Sequence, residues 1–175
     1  MVDEKRISKG FWVWGQFDEA STEIITNFYE KVNGALNGPR FDVHLTLSGP
    51  ILDLKNSQKS KLYKLTKLLS SVKLQAEDIG MKDHFFQSLF IKINNNSDLK
   101  NLKSQIDGEL NLEDKKYFPH ISLYYGNADK DSRISSVDGL RLPKEVVLDK
   151  ISIVKVDEEI KSWKVLESFS LLGIG

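Results

Sequence analysis

Two short stretches of this 175-residue chain are near copies of each other, and no other feature restricts its fold and chemistry as much. One is Phe41-Asp42-Val43-His44-Leu45-Thr46-Leu47-Ser48. The other is Phe118-Pro119-His120-Ile121-Ser122-Leu123-Tyr124-Tyr125. Each sets a histidine two residues ahead of a small hydroxyl, with a phenylalanine two or three places upstream. Side chains at i and i+2 leave the same face of a β-strand. His44 and Thr46 therefore project together, as do His120 and Ser122. Leu45, Leu47, Ile121 and Leu123 turn the other way, into a core. An imidazole moves protons near neutral pH, and a hydroxyl donates to the non-bridging oxygens of a phosphate. The pair, built twice, suits a phosphate ester.

One such pair alone means little, because a histidine in a strand is commonly a structural residue. The repetition changes the weighing. The chain has three histidines, and two of them occupy the same pattern. A polar pair is costly in a closed core unless it is hydrogen-bonded. A cleft shared between two lobes accommodates both.

Composition narrows the classes. With 40% apolar and 29% charged residues the chain has enough material for one core, and its length fits a single domain, 1–175, made of two similar lobes. Basic and acidic residues balance at 25 each, which disfavours charge-driven binding of long nucleic acid. The absence of cysteine removes disulfides, thiolate catalysis and cysteine metal sites. Residues 1–10 are charged and lack an apolar signal region, and no run reaches membrane-spanning length, so a cytoplasmic protein with no membrane contact is expected. Nothing in the pattern asks for a second copy, and the expectation is a monomer.

Along the chain, 9–17 reads as a first strand with Trp12 and Trp14 on one face. A helix over 21–35, capped at Ser21, is stopped by Gly34 to Pro39. The first histidine strand follows and ends at Gly49-Pro50. A second helix spans 57–72, its outer side rich in lysine (Lys55, Lys59, Lys61, Lys64, Lys67 and Lys73). That side is a solvated face or an RNA contact. A strand is expected over 74–79 and another over 84–93. A helix over 97–110, capped at Asn94 to Asn96, leads through a polar loop to the second histidine strand. Residues 127–143 are expected to be loop, and 146–156 with 163–172 a final hairpin. The mixture says α+β, without a Gly-rich nucleotide loop.

Opening a cyclic phosphate needs a water aligned opposite the leaving oxygen, so two proton-transfer groups must flank phosphorus. One neutral histidine takes a proton from water and one protonated histidine gives a proton to the departing oxygen. Thr46 and Ser122 would hold the non-bridging oxygens.

The paired signatures resemble those of the 2H phosphoesterase superfamily. The resemblance is nearest to the plant and yeast type of 2′,3′-cyclic nucleotide 3′-phosphodiesterase. It rests on four blocks: Trp12 to Gly15; Gly38-Pro39-Arg40-Phe41 running into His44-Leu45-Thr46; Phe85-Phe86-Gln87-Ser88; and Tyr117 to Tyr125. It implies a bilobal fold, two antiparallel sheets related by a pseudo-twofold axis, with helices outside and a central cleft. It implies hydrolysis of ribose cyclic phosphates without metal or other cofactor. The substrates implied are nucleoside 2′,3′-cyclic phosphates, giving 2′-phosphates, and ADP-ribose 1″,2″-cyclic phosphate. It makes His44 and His120 the catalytic pair, and Thr46 and Ser122 the phosphate holders. Trp14 and Phe86 become aromatic walls or, equally, core. The family's tyrosine falls on Tyr125, whereas strand alternation favours Tyr124; a bulge would re-aim the chain towards Tyr125.

Other positions stay open. His84 has no counterpart in the resemblance and is a surface group, a metal ligand or a third site residue. Arg40 points at the cleft or pairs with an acid outside it. Two rival functions also stand: an enzyme of the same superfamily acting on polynucleotide 2′,3′-cyclic ends, and a non-catalytic binder of cyclic phosphates or nucleotides.

Overall fold

The computed structural model describes residues 9–173; the charged stretch 1–8 lies outside them. Seven strands and four α-helices follow one another as β1 (Gly10–Phe17), α1 (Glu19–Leu36), β2 (Leu45–Ile51), α2 (Asn56–Leu68), β3 (Val72–Met81), β4 (Leu89–Ile93), α3 (Ser97–Leu110), β5 (His120–Tyr124), α4 (Lys130–Ser136), β6 (Glu145–Val156) and β7 (Lys164–Ser170). Up to β6 this is one order of elements, strand-helix-strand-helix-strand, used twice. β1 corresponds to β4, β2 to β5 and β3 to β6.

The pairings obey the same exchange. The sheet runs β1-β2-β5-β4-β3-β6-β7, antiparallel at every step, and β1 also pairs with β6. Two halves, β6-β1-β2 and β3-β4-β5, thus correspond to the two antiparallel sheets the resemblance implies. They are joined into one sheet because β6, twelve residues long, reaches β1, β3 and β7 together. The other junction is the single pair Leu45–Ile121 between β2 and β5. Each half's first long helix crosses to the other half's histidine strand: α1 packs on β5, and α3 packs on β2. Leu45, Leu47, Ile121 and Leu123 lie in the core beneath these helices, as their strand parity requires.

Several boundaries differ from the sequence reading, each for a local reason. α1 begins at Glu19, because Asp18 accepts the Ser21 N–H at 2.8 Å; Ser21 Oγ instead accepts the Val147 N–H, also at 2.8 Å. The chain does not leave the sheet at Gly49-Pro50. A register slip against β1 takes up Gly49, at φ 133°, and carries β2 on to Ile51. α2 stops at Leu68, since Leu69 is already extended and Val72 joins β3. Residues 84–93 are not one strand: Gln87 N–H donates to the His84 carbonyl, and Phe85–Gln87 form a 3₁₀ turn before β4. The expected loop 127–143 contains α4, started by Asp129, whose carboxylate accepts from the Ser132 N–H and hydroxyl.

The Leu45–Ile121 contact is fully buried on both sides. Leu45→Ala is expected to cost about 2–5 kcal/mol of stability, read from the urea midpoint at unchanged slope.

Candidate active site

Where β2 meets β5, Leu45 pairs with Ile121. Carrying that register one residue each way sets His44 across from Ser122 and Thr46 across from His120, on the face opposite the core. Directly opposed Cβ atoms lie about 4.5–5.5 Å apart, and diagonal neighbours about 7–8 Å. The imidazoles therefore occupy one diagonal of a small square and the hydroxyls the other. All four expected residues are brought together.

The two rings are held alike. His44 Nδ1 lies 2.7 Å from the Asp42 carbonyl oxygen, and His120 Nδ1 lies 2.9 Å from that of Phe118, in each case two residues back. A carbonyl only accepts, so Nδ1 carries the proton in both rings and each neutral ring keeps an unprotonated Nε2. His44 is buried against Trp14, with ring centroids 3.6 Å apart and planes within 6°. Burial, helped by the facing charge of His120 and opposed by the Asp42 carbonyl, pushes its pKa down to about 4. His120 is more open. It stacks on Phe118 at 5.4 Å and meets the edge of Phe90 at 5.3 Å. Its pKa is lowered by burial first and by the Lys82 ammonium, with the Phe118 carbonyl opposing.

Aromatic rings close one side of the square. Phe41 stacks on Tyr125 at 4.0 Å, Phe86 meets Tyr125 at 5.2 Å, and Trp163 lies 6.0 Å from both Phe86 and Trp14. Trp14 is almost wholly buried, so it serves as a plate behind His44 and as core at once. Phe86, on its 3₁₀ turn, is partly exposed. Trp163 belongs to this group although the sequence reading did not number it among the site residues. Tyr125, not Tyr124, stands beside Ser122. The β4–β5 register slips by a residue between Leu89 and Phe90, which turns Tyr125 to the histidine side. Burial raises the Tyr125 pKa, and a hydrogen bond with Ser122 partly offsets it. Tyr124 instead lies in the core, its hydroxyl accepting the Ala128 N–H at 3.3 Å.

The other side of the square opens into a cleft of about 490 Å³ lined by Thr46, His120, Gln87, Lys103, Tyr117 and Trp12, among others. Below it lies a buried brace that the sequence reading missed. Tyr117 donates to the Thr46 carbonyl at 2.8 Å, Lys103 to the Leu47 carbonyl at 2.9 Å, and Ser48 to Asp107 at 2.5 Å. Lys103 also pairs with Asp107 at 2.8 Å. Three consecutive residues of β2 are thus gripped from α3 and from the loop leading to His120. The i,i+4 spacing of Lys103 and Asp107 on a helix was the available signal.

The remaining candidates fall elsewhere. Arg40 forms a two-pronged pair with Glu30 at 2.5 and 2.7 Å on the surface. It also borders a second depression that includes Trp14, Phe41 and Trp163. His84 is exposed and lies away from the cleft, in a groove with Asp83 and Asn127. On the lysine-rich face Lys59 pairs with Glu167, Lys73 with Glu145, and Lys67 sits over Tyr63; none of them lines the cleft. Among the described residues no group of three histidine, aspartate or glutamate side chains is placed to hold a metal ion. None of their helices is long and apolar enough to cross a membrane.

The ring environments predict a proton titration. In NMR at pH 7 both His44 and His120 should show the neutral Nδ1–H form, with His44 titrating near pH 4 and His120 below its ordinary value.

No family profile matches the chain. It is 21% identical over 173 residues to a cyclic phosphodiesterase of Arabidopsis thaliana, covering 93% of each protein. Among solved structures it superposes on TT0787 of Thermus thermophilus with a TM-score of 0.63 at 19% identity, over 93% of this chain and 98% of that one. It superposes on E. coli LigT in its apo form with a TM-score of 0.60 at 12% identity, over 93% and 96%. LigT complexed with 3′-AMP gives 0.57 at 13% identity, over 93% and 98%. In sequence and in fold alike, the chain is similar to the 2H phosphoesterases.

Proposed function

We propose that the protein hydrolyses ribose cyclic phosphates by acid–base catalysis between its two histidines, acting as a single domain whose two lobes close on one site. The observation that carries this reading is the square of His44, Ser122, His120 and Thr46, with both imidazoles fixed in the same tautomer. The chain's similarity to a plant cyclic phosphodiesterase and to LigT complexed with 3′-AMP supports a small nucleotide as substrate.

With a nucleoside 2′,3′-cyclic phosphate, His44 is the base. Burial keeps it neutral, and its Nε2 takes a proton from the attacking water. The new P–O bond forms as the P–O3′ bond breaks. His120 delivers a proton to O3′, leaving a 2′-phosphate. Thr46 and Ser122 donate to the non-bridging oxygens, with Tyr125 holding Ser122 in place, while Trp14, through His44, and Phe86 bound the nucleoside side. The same scheme turns ADP-ribose 1″,2″-cyclic phosphate into the 1″-phosphate. The two imidazoles supply both proton transfers, so the reaction calls for no metal, and full activity in chelator is expected.

A second reading is a polynucleotide end as substrate. The observation favouring it is that Lys115 and Lys116 join Lys103 along the cleft beside His120. Turnover of adenosine 2′,3′-cyclic phosphate against that of a short RNA with a cyclic end decides between the two. A strong preference for the RNA would replace the small substrate, and tight binding of either without conversion would leave a binder in place of an enzyme.

His44→Ala and His120→Ala should each lower kcat by at least about 10²–10⁴-fold while retaining the native circular dichroism; Thr46→Ala and Ser122→Ala should cost less. The pH profile of kcat/KM should be a bell. Its acid limb falls as His44 gains a proton near pH 4, and its alkaline limb falls as His120 loses one below its ordinary value of 6.5. The optimum for the free enzyme therefore lies on the acid side of neutrality. Bound anionic substrate favours the charged imidazolium and moves the alkaline limb of kcat upward.

A further inference from the structure

Outside the square one cation is placed with unusual care. Lys82 sits just past the end of β3, and its ammonium lies 4.2 Å from the centre of the Phe118 ring. The ring of Phe118 is stacked on His120. Lys82 Nζ also donates to Gln87 Oε1 at 2.8 Å, and Gln87 lines the cleft. The backbone that carries Lys82 is clamped in turn. Arg133 of α4, only 5% exposed, donates to the Lys82 carbonyl at 2.9 Å and the Ser88 carbonyl at 3.0 Å, and pairs with Asp83 at 2.8 Å. A buried arginine thus fixes both ends of the turn from Lys82 to Ser88.

Resting on the acid–base reading of His120, we propose that Lys82 is a positioning residue for the reaction: its ammonium, held over Phe118 by Gln87 and by the Arg133 clamp, governs how readily His120 gives up its proton. A cation over an aromatic face is attracted by the ring, and it repels a second positive charge forming against the same ring. Protonated His120 is that charge. The groups around His120 bear this out by position. From the start of β2 and the residue before it, it faces Thr46 and His44, both without formal charge when His44 is neutral. From its own loop come the Phe118 carbonyl and Tyr117, whose hydroxyl is bound to the Thr46 carbonyl. From β4, Lys92 stands opposite it in register, paired with Glu77 at 3.3 Å. Across the cleft, Lys103 is neutralised by Asp107, and Lys115 and Lys116 line the same cleft together with Glu113, none of them against the Phe118 ring. Lys82 has a neutral amide for a partner, so its charge is left to act. The general acid is thereby made a stronger donor to the leaving oxygen, and the anionic substrate restores the proton it needs.

The test compares Lys82→Met, Lys82→Arg and Gln87→Ala with the unaltered protein in two readouts. The first is the NMR titration of the His120 ring without substrate; the second is the pH profile of kcat/KM with adenosine 2′,3′-cyclic phosphate. In Lys82→Met the His120 titration and the alkaline limb should both move to higher pH, and kcat on the plateau should fall. Lys82→Arg should restore both, and Gln87→Ala should fall between. Salt near 1 M should move the unaltered protein's titration in the same direction and leave that of Lys82→Met in place, since an exposed charge is screened. An unmoved His120 titration in Lys82→Met overturns the proposal. A titration that moves while the kinetic limb stays put would instead remove His120 from the role of acid and leave the effect of Lys82 on the ring standing.

Discussion

One meeting of two strands organises this molecule. β2 and β5 share a single bridging pair, Leu45 with Ile121, and the arrangement of the two histidines and two hydroxyls follows from the parity it imposes. With the apolar partners locked inward, the residues on either side must face outward. They are a histidine and a hydroxyl from each strand. Antiparallel direction then sets unlike groups opposite each other and like groups on the diagonals. A slip of one residue would turn the imidazoles into the core and the leucines into the cleft, at a cost no local adjustment could recover.

The same parity made much of this legible in the sequence. Hydrophobic alternation around His44 and His120 sets their hydroxyls alongside them, with His120 opening β5 and His44 one residue ahead of β2, and the helix expected over 97–110 matches α3. Other parts were decided by interactions between residues distant in the chain. α4 is short, and its buried residues are an arginine and a serine, so no apolar stripe betrayed it. The turn at Phe85–Gln87 looked like strand because it is rich in aromatic residues, yet Phe86 is there to meet Tyr125, just past β5, and Trp163, just ahead of β7. The choice between Tyr124 and Tyr125 rested on a register slip, which composition does not encode. The brace of Tyr117, Lys103 and Asp107 lay hidden because its targets are mostly backbone carbonyls.

Burial and hydrogen bonding act on the two histidines in opposite senses. Each ring gives its Nδ1 proton to a carbonyl two residues back, an arrangement that favours the charged form. Each is also partly withdrawn from water, which disfavours it. For His44, enclosed by Trp14, withdrawal dominates. For His120, open to the cleft, the balance is closer. Two residues that enter the fold by the same local sequence logic thus leave it with different chemical tendencies.

That difference is accompanied by a second asymmetry, the strand left over when the two halves are matched. β7 has no counterpart in the repeat, and the segment that introduces it brings Trp163 against Trp14 and Phe86, on the His44 side alone. A doubled motif by itself would accept a ligand equally well in either of two orientations, with its histidines interchangeable. A single unmatched strand makes front and back unequal, so the repeat furnishes the reacting groups and the strand outside it gives the pocket its handedness.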